Sequence, residues 1–287
     1  MLIPRRVTSR QGRAALVDGI PFKLPVVCAP SPVMMAAFTI DARKAAALLP
    51  GTEVFPLRLW SGRGLLMIVV IDYQQTTIGK YIEFSVGIAC THGQRPAPPL
   101  LPAALTSVFG TGQYVFDLPV SSEVSVKGGK GIWGMPKHRA NLDFRISDTT
   151  VSSMYALDGI EVLTLDIDRP KSARLPVRMT AANYCAFRGM LMKSYVYFTG
   201  KAGISLFKKG SARLSIGAHP RVQALKDLEI SPDPLMTAFI PQAQGTLDDH
   251  FEAWFLDYDR VPDRVPEGTE SVSHLGLGQE WLEPPRR

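Results

Sequence analysis

The sequence has few of the features that mark common structural or catalytic classes. Its three cysteines, Cys28, Cys90 and Cys185, lie far apart in 287 residues, which argues against a disulfide framework. The longest purely apolar run, Leu65–Ile71, is far shorter than the ~20 residues that a transmembrane helix needs. No unbroken apolar stretch follows Arg5 and Arg6, so we expect no signal peptide. We therefore expect a soluble cytoplasmic protein with no membrane contact and with reduced cysteines.

Motifs for metals, nucleotides and nucleic acids are also missing. The 5 histidines show no ligand-like spacing, so we expect no metal site. No Gly-x-Gly-x-x-Gly stands between a strand and a helix, and the glycine-rich segment Lys127–Gly131 lacks phosphate-loop spacing. We predict a flexible turn there. The net charge is +6, but the basic residues are dispersed, which predicts no nucleic-acid binding.

The pattern that is present is mostly that of β-strands. Short runs rich in β-branched and aromatic residues are separated by Gly, Pro and Asp turns, which predicts an antiparallel barrel or sandwich. The predicted strands are Glu53–Trp60, Leu65–Asp72, Tyr81–Cys90, Gln113–Leu118, Glu123–Lys127, Leu142–Ser147, Val151–Leu157, Ile160–Asp166, Leu191–Phe198, Ala212–Gly217 and Leu235–Pro241.

Helices are few and short. Asp41 is a predicted N-cap for a helix over Ala42–Leu49, and Pro102–Gly110 and Pro220–Leu228 each predict another. Thr246–Phe255 fits either a helix or a strand. We expect one domain over residues 1–258, followed by a Pro- and Gly-rich tail over residues 259–287.

The segment with the most chemical information surrounds Lys137. This lysine follows Trp133, Met135 and Pro136 directly or closely. An amine held among apolar groups resists protonation, because desolvation penalises its charged form. A neutral amine attacks ketones and forms a Schiff base. Local composition alone also fits a surface lysine after a turn.

The run Gly134-Met135-Pro136-Lys137, preceded by Trp133, resembles the Schiff-base segment of the acetoacetate decarboxylase family. Three more stretches resemble that family in the same order, and the whole resemblance covers roughly residues 20–258. These stretches are Phe38–Pro50, Gly79–Glu83 and Leu214–Leu228. The resemblance implies a mainly β (α+β) protein, an antiparallel β-barrel with a few short helices, and a homo-oligomer.

The same resemblance assigns the candidate site. It implies that Lys137 is the Schiff-base lysine and that Glu83 is the acid beside it, suited to proton transfer. His138 stands where the family has a second lysine and would supply only part of that positive charge. Four side chains would line the substrate pocket: Trp133, Met135, Tyr114 and Phe116.

Two family positions are not matched in this chain. The second pocket glutamate of the family falls within Leu65–Ile71, which contains no acid. The family's arginine ahead of the first core strand falls near Ser31. An arginine suits a substrate carboxylate, so its absence argues against acetoacetate itself. Arg58, Arg63 and Arg139 are candidates to replace it.

The resemblance implies a lyase that decarboxylates a β-keto acid through a lysine imine. It needs no metal or organic cofactor, and its partner is a small-molecule keto acid. One alternative is an aldolase or dehydratase that uses the same lysine on another keto acid. Another is a non-catalytic barrel that binds an apolar ligand, which would follow if Lys137 is a charged ammonium paired with Glu83.

Overall fold

A computed structural model describes residue 7 and residues 12–258 of the chain. The strands are β1 (Arg13–Val17), β2 (Ile20–Leu24), β3 (Val26–Asp41), β4 (Val54–Pro56), β5 (Arg63–Tyr73), β6 (Tyr81–His92), β7 (Gly112–Val120), β8 (Lys137–Arg139), β9 (Asn141–Leu142), β10 (Arg145–Ile146), β11 (Thr150–Leu157), β12 (Ile160–Asp168), β13 (Leu175–Phe187), β14 (Met190–Leu206), β15 (Ala212–Ile216) and β16 (Met236–Phe255). The helices are α1 (Ala42–Ala46), α2 (Leu101–Ala104), α3 (Glu123–Trp133) and α4 (Gln223–Lys226), with a 3-10 turn over Pro220–Val222 before α4.

Seven strands close into a barrel. Hydrogen-bonded neighbours follow the order β6, β5, β3, β16, β14, β13 and β7, and β7 returns to pair with β6. These pairs are antiparallel except for β7 with β13. Outside the ring, β4 pairs with β6, and the short β8 runs parallel to β7. Closure satisfies the backbone hydrogen bonds of the strands and encloses an interior.

A second sheet packs on the outside of this barrel. It contains β10, β11, β12 and β15 in that order, with β9 paired to β11. The largest hydrophobic cluster lies between the two layers: Leu66 and Ile68 of β5 contact a group that includes Tyr155 and Leu165 of the second sheet. Packing on this scale fixes the two layers against each other.

The alternation along β5 explains its uninterrupted apolar sequence. Leu66, Ile68 and Val70 face the second sheet and are fully buried. Met67 and Val69, between them, line the interior of the barrel. Because successive side chains of a strand point to opposite faces, a strand with two apolar environments needs apolar residues at every position.

The prediction of a mainly β barrel with few short helices is confirmed. The Asp41 side chain accepts hydrogen bonds from the backbone N–H groups of Arg43 and Lys44, as predicted for an N-cap, although α1 ends earlier than expected. The ambiguous segment Thr246–Phe255 is part of strand β16.

The prediction of a strand over Glu123–Lys127 and a turn over Lys127–Gly131 was wrong. Both segments belong to helix α3. The glycines mark close packing of this helix, because a Cβ at Gly128 would lie 2.5 Å from the ring of Phe22. Such a contact excludes larger side chains, and the glycines are tolerated within the helix despite their low propensity.

The C-terminal tail predicted over residues 259–287 lies outside the described residues. The single domain over residues 1–258 stays a prediction. Within the part of the chain that the structure describes, no helix combines the length and the hydrophobicity that crossing a bilayer requires.

The two faces of β5 should respond differently to truncation. We expect Ile68→Ala to lower the free energy of unfolding by about 2–5 kcal/mol, because it opens a new void in a fully buried cluster. Met67→Ala should cost clearly less, since it enlarges a cavity that already exists. Urea denaturation of both variants measures the difference; equal losses would contradict the assignment of the two faces.

Candidate active site

The barrel interior contains a cavity of about 630 Å³. This volume lies in the ~300–1,000 Å³ range typical of small-molecule sites. Most of its lining is apolar, contributed by β3, β5, β7, β13, β14 and β16; it includes Val33, Met35, Met67, Val69, Val115, Leu118, Met179, Phe198 and Ile240. A few polar and charged side chains interrupt this surface, and they define where chemistry can take place.

Lys137 is one of those charged side chains, and it is 3% exposed. It begins β8, which pairs with β7 through Leu118. Its Nζ lies 2.7 Å from Oε2 of Glu83 and donates a hydrogen bond of 2.9 Å to Oγ of Ser125. Lys137 is therefore not a surface lysine, and its amine lies on the wall of a cavity.

Glu83 reaches the same place from β6, which lies on the other side of β7 from β8. It lies on β6, where it pairs with Ile71 of β5 and Val120 of β7. Its side chain is largely buried and lines the cavity. The structure thus brings together Lys137 and Glu83, far apart in sequence, as the resemblance implies.

Helix α3 supports the lysine from behind. Ser125, which is fully buried, and Gly129 are four residues apart and therefore lie on one face of the helix. A Cβ at Gly129 would lie 2.4 Å from Cδ of Lys137, so only glycine leaves room for the lysine stem. The helix ends at Gly134, whose positive φ of 63° reverses the chain before β8.

Sequence reasoning missed the part played by α3. The signal was present, since Ser125 and Gly129 stand at helical spacing ahead of Lys137. It could be used only if Glu123–Trp133 is taken as a helix, and the three glycines of that segment favoured a turn.

Two tyrosines complete the surroundings of the amine. The ring centroids of Tyr73 and Tyr81 are 4.6 Å apart, and Nζ of Lys137 lies 5.3 Å from the centroid of the Tyr81 ring. Burial raises the pKa of both phenols well above its usual range, and the charge of Glu83 adds to this effect. Both hydroxyls therefore stay protonated, and among the described residues the acid that pairs with the lysine is Glu83.

Of the four side chains predicted to line the pocket, one lines the cavity and three lie elsewhere. Met135 lines the cavity. Trp133 lies beneath the lining in a buried cluster, and its indole N–H donates to the backbone oxygen of Asp248. Tyr114 and Phe116 pack in clusters outside the barrel interior. The placement of these last three differs from the prediction.

The reason for the difference is the alternation of β7. Gln113 and Val115 of this strand face the cavity, so Tyr114 between them faces away from it. Phe116 is the extra residue where the pairing of β7 with β6 shifts register, and Leu118 beyond it lines the cavity again. The sequence resemblance identified the strand correctly but assigned the wrong face of it to the pocket.

His138 also lies away from the cavity. Its ring packs near Tyr155, and Nδ1 is 3.5 Å from Oδ1 of Asp117. Burial lowers the pKa of His138 to about 4, although the charge of Asp117 opposes this change. At neutral pH the ring is uncharged, so it does not supply the positive charge that we expected beside Lys137.

None of the three candidate arginines lines the cavity. Arg63 donates to Thr39, and Arg58 donates to a backbone oxygen at the surface. Arg139 is exposed. Among the described residues that line the cavity, the only cations are Lys137 and Lys193, and sequence reasoning missed Lys193.

Comparisons with known proteins bear on the family and the fold. The family model for acetoacetate decarboxylase matches residues 6–191. No curated protein matches the chain. An acetoacetate decarboxylase structure from Legionella pneumophila is 15% identical with a TM-score of 0.56, over 80% of this chain and 87% of the other. A second acetoacetate decarboxylase structure is 14% identical with a TM-score of 0.56, over 82% and 91% of the two chains.

A third similar structure carries a ligand. It is the enduracididine biosynthesis enzyme MppR, complexed with the condensation product of pyruvate and imidazole 4-carboxaldehyde. It is 13% identical with a TM-score of 0.53, over 80% of this chain and 88% of the other. At such identities these likenesses show a shared fold.

The position of His138 predicts how stability depends on pH. The folded chain holds the ring neutral down to about pH 4, whereas the unfolded chain takes up a proton near 6.5. Stability from this group is therefore full above pH 6.5 and is lost as the pH falls towards 4. Between pH 7 and pH 5, we expect the protein to lose about 2 kcal/mol more than the His138→Gln variant. Urea denaturation at both pH values tests this, and parallel losses would contradict it.

Proposed function

The chain belongs to the acetoacetate decarboxylase family, and from this premise we propose that it is a lyase that forms a Schiff base between Lys137 and a keto acid and releases carbon dioxide. The observation that carries the proposal is the position of the Lys137 amine. It lies on the wall of a largely apolar cavity, 2.7 Å from the carboxylate of Glu83. A nucleophile and a proton acceptor at this distance, with room for a substrate, satisfy the geometric requirements of nucleophilic catalysis.

In the first half of the reaction, Glu83 removes a proton from the Lys137 ammonium. The neutral amine then attacks the carbonyl carbon of the substrate, and the hydrogen bond to Ser125 orients its lone pair. Glu83 returns the proton to the carbinolamine oxygen, which leaves as water. The product is a protonated imine that links Nζ to the former carbonyl carbon.

In the second half, the imine accepts the electron pair of the bond to the carboxylate. Carbon dioxide leaves, and an enamine forms. This step turns an iminium and a carboxylate into two neutral species, so an apolar lining favours its product over its reactant. The enamine carbon then takes up a proton from the solvent, and water hydrolyses the resulting imine to free the lysine and the product.

An aldolase or dehydratase that uses the same lysine is the second candidate. The similar fold of MppR with a bound condensation product of pyruvate and an aldehyde favours it. The two reactions share the imine and diverge at the next step. Pyruvate has no β-carboxylate to lose, so its imine becomes an enamine by giving up a proton of the methyl carbon, and the enamine carbon then attacks the aldehyde. Release of carbon dioxide from a β-keto acid, against condensation of pyruvate with an aldehyde, distinguishes the two activities.

The Lys137–Glu83 ion pair is also the arrangement that a non-catalytic binding barrel would have. The location of the pair favours catalysis, since its charged atoms border the cavity instead of lying in a filled core. A reaction with the amine distinguishes the two functions directly.

Reductive trapping should modify Lys137. Borohydride with acetoacetate or pyruvate is expected to add the mass of the reduced ligand to the peptide that contains this lysine. Lys137→Arg keeps the positive charge beside Glu83 but forms no imine, so it should stay unmodified. Lys201→Met, on an exposed part of β14, should be trapped like the parent protein. An unmodified parent peptide with several keto acids would favour the binding barrel.

The role of Glu83 should appear in the rate of trapping. We expect Glu83→Gln to slow imine formation by about 100-fold or more, because the amide cannot accept the proton of the ammonium. Glu229→Gln removes a similar contact at the surface, with Lys44, and should leave the rate unchanged. Quenched-flow trapping followed by mass spectrometry measures both variants. Equal rates in the Glu83 variant and the parent would show that another group takes the proton.

A further inference from the structure

We infer that the cavity binds an elongated keto acid, whose ketone reacts at Lys137 and whose distant carboxylate lies at Lys193. The reacting end of this ligand rests on the function proposed above. The carboxylate end rests on a second lysine that no part of that mechanism uses.

Lys193 is a buried cation on the cavity wall. It lies on β14, is 8% exposed, and its Nζ is 5.4 Å and 5.2 Å from the ring centroids of Tyr184 and Tyr195. The described residues place no carboxylate at ion-pair distance from this Nζ. A buried charge without a counter-ion is costly, so an anion in the cavity is attracted to it.

The nearest acid on the neighbouring strand already has a partner. Glu252 is paired with Lys193 in the β14–β16 register, and its carboxylate accepts a hydrogen bond from the hydroxyl of Tyr195. Tyr195 thereby holds the carboxylate of Glu252 while its ring faces Lys193. Glu252 also lines the cavity beside Lys193, but Tyr195 binds its carboxylate and, among the described residues, no ion pair joins it to Nζ, so the ammonium can still bind the carboxylate of a ligand.

Lys193 and Lys137 lie at different heights of the barrel, measured along its strands. Glu83, the partner of Lys137, and Ala89 both line the cavity and are six residues apart on β6, which corresponds to roughly 20 Å of strand. Ala89 pairs with Gln113, whose side chain donates to Asn183. Asn183 in turn pairs with the residue next to Lys193. A ligand that touches both lysines must therefore be long.

The wall between the two lysines is suited to an apolar chain. It includes Met35, Met67 and Met179, whose flexible side chains adapt to different shapes. A molecule the size of acetoacetate would fill only a small part of about 630 Å³. A β-keto acid that carries a second carboxylate at the far end of an alkyl chain would use the whole cavity.

The charges at the Lys137 end of the cavity also favour a ligand that is held by Lys193. Glu83 supplies a negative charge there, and the described cavity lining offers no cation other than Lys137 at that end. A substrate carboxylate beside the ketone meets like charge, which favours its loss as carbon dioxide but does not hold the substrate. Lys193 can supply the attraction that the family's missing arginine does not provide.

Trapping with borohydride can measure this preference on the intact protein. The probes are levulinic acid, 9-oxodecanoic acid and the methyl ester of the latter. For the parent protein, we expect half-maximal trapping by 9-oxodecanoic acid at a concentration about tenfold or more below that of the other two. Lys193→Met should abolish the preference for the acid over its ester, and Lys201→Met should keep it. Circular dichroism verifies that the variants are folded.

Two outcomes would overturn the inference. Either the parent protein is trapped equally by the acid and its ester, or the Lys193→Met variant keeps the full preference. The comparison of acid with ester in the parent protein needs no variant, so a folding failure of Lys193→Met does not remove the test.

A separate measurement keeps this inference distinct from the proposed function. If no probe is trapped, the Schiff-base function fails, and calorimetric titration with decanoate then tests Lys193 alone. Binding to the parent protein at least about tenfold tighter than to Lys193→Met supports the carboxylate site. Equal or undetectable binding to both overturns it.

Discussion

The contact between Lys137 and Glu83 is the constraint on which the site depends. Taking both charges out of water is expensive, and their attraction repays this only when the geometry is tight and further hydrogen bonds are present. The structure meets these conditions with a separation of 2.7 Å and with the hydroxyl of Ser125 as a third partner. A closed barrel supplies the low-dielectric surroundings, and the cavity gives a substrate access to the pair.

How far sequence predicts this site depends on whether the relevant signal is local. Lys137 and Met135 were found because they stand together in one short run, and Glu83 because its strand resembles a family strand. The face of β7 was not predictable in the same way, since Tyr114 and Gln113 differ by one position and both suit a strand. The burial that neutralises His138 also arises from distant residues.

For the fold, too, the elements with a local sequence signal were predicted, and those that depend on distant residues were not. Strands bounded by clear turns were predicted, whereas β3 was not, because Pro30 and Pro32 interrupt its sequence. The structure accommodates these prolines where the pairing of β3 with β16 shifts register, so regular ladder hydrogen bonds are not required throughout. The prediction for α3 failed because the reason for its three glycines lies in tertiary packing. A Cβ at these positions would meet Phe22, Lys137 or Val17, which are distant in sequence or not recognisable as neighbours from the local pattern.

The second sheet connects to the site through a buried polar cluster behind β8. Asp117 of β7 accepts hydrogen bonds from the hydroxyl of Tyr155 at 2.5 Å and from Nε of Arg221 at 2.8 Å. It is followed by Leu118, the partner of Lys137 in the short pairing of β7 with β8. A strand of only three residues has little ladder to hold it, so the amine position depends on what packs behind it. The outer layer therefore supports the wall from which Lys137 reaches Glu83, so the second sheet helps to position the amine although none of its residues lines the cavity.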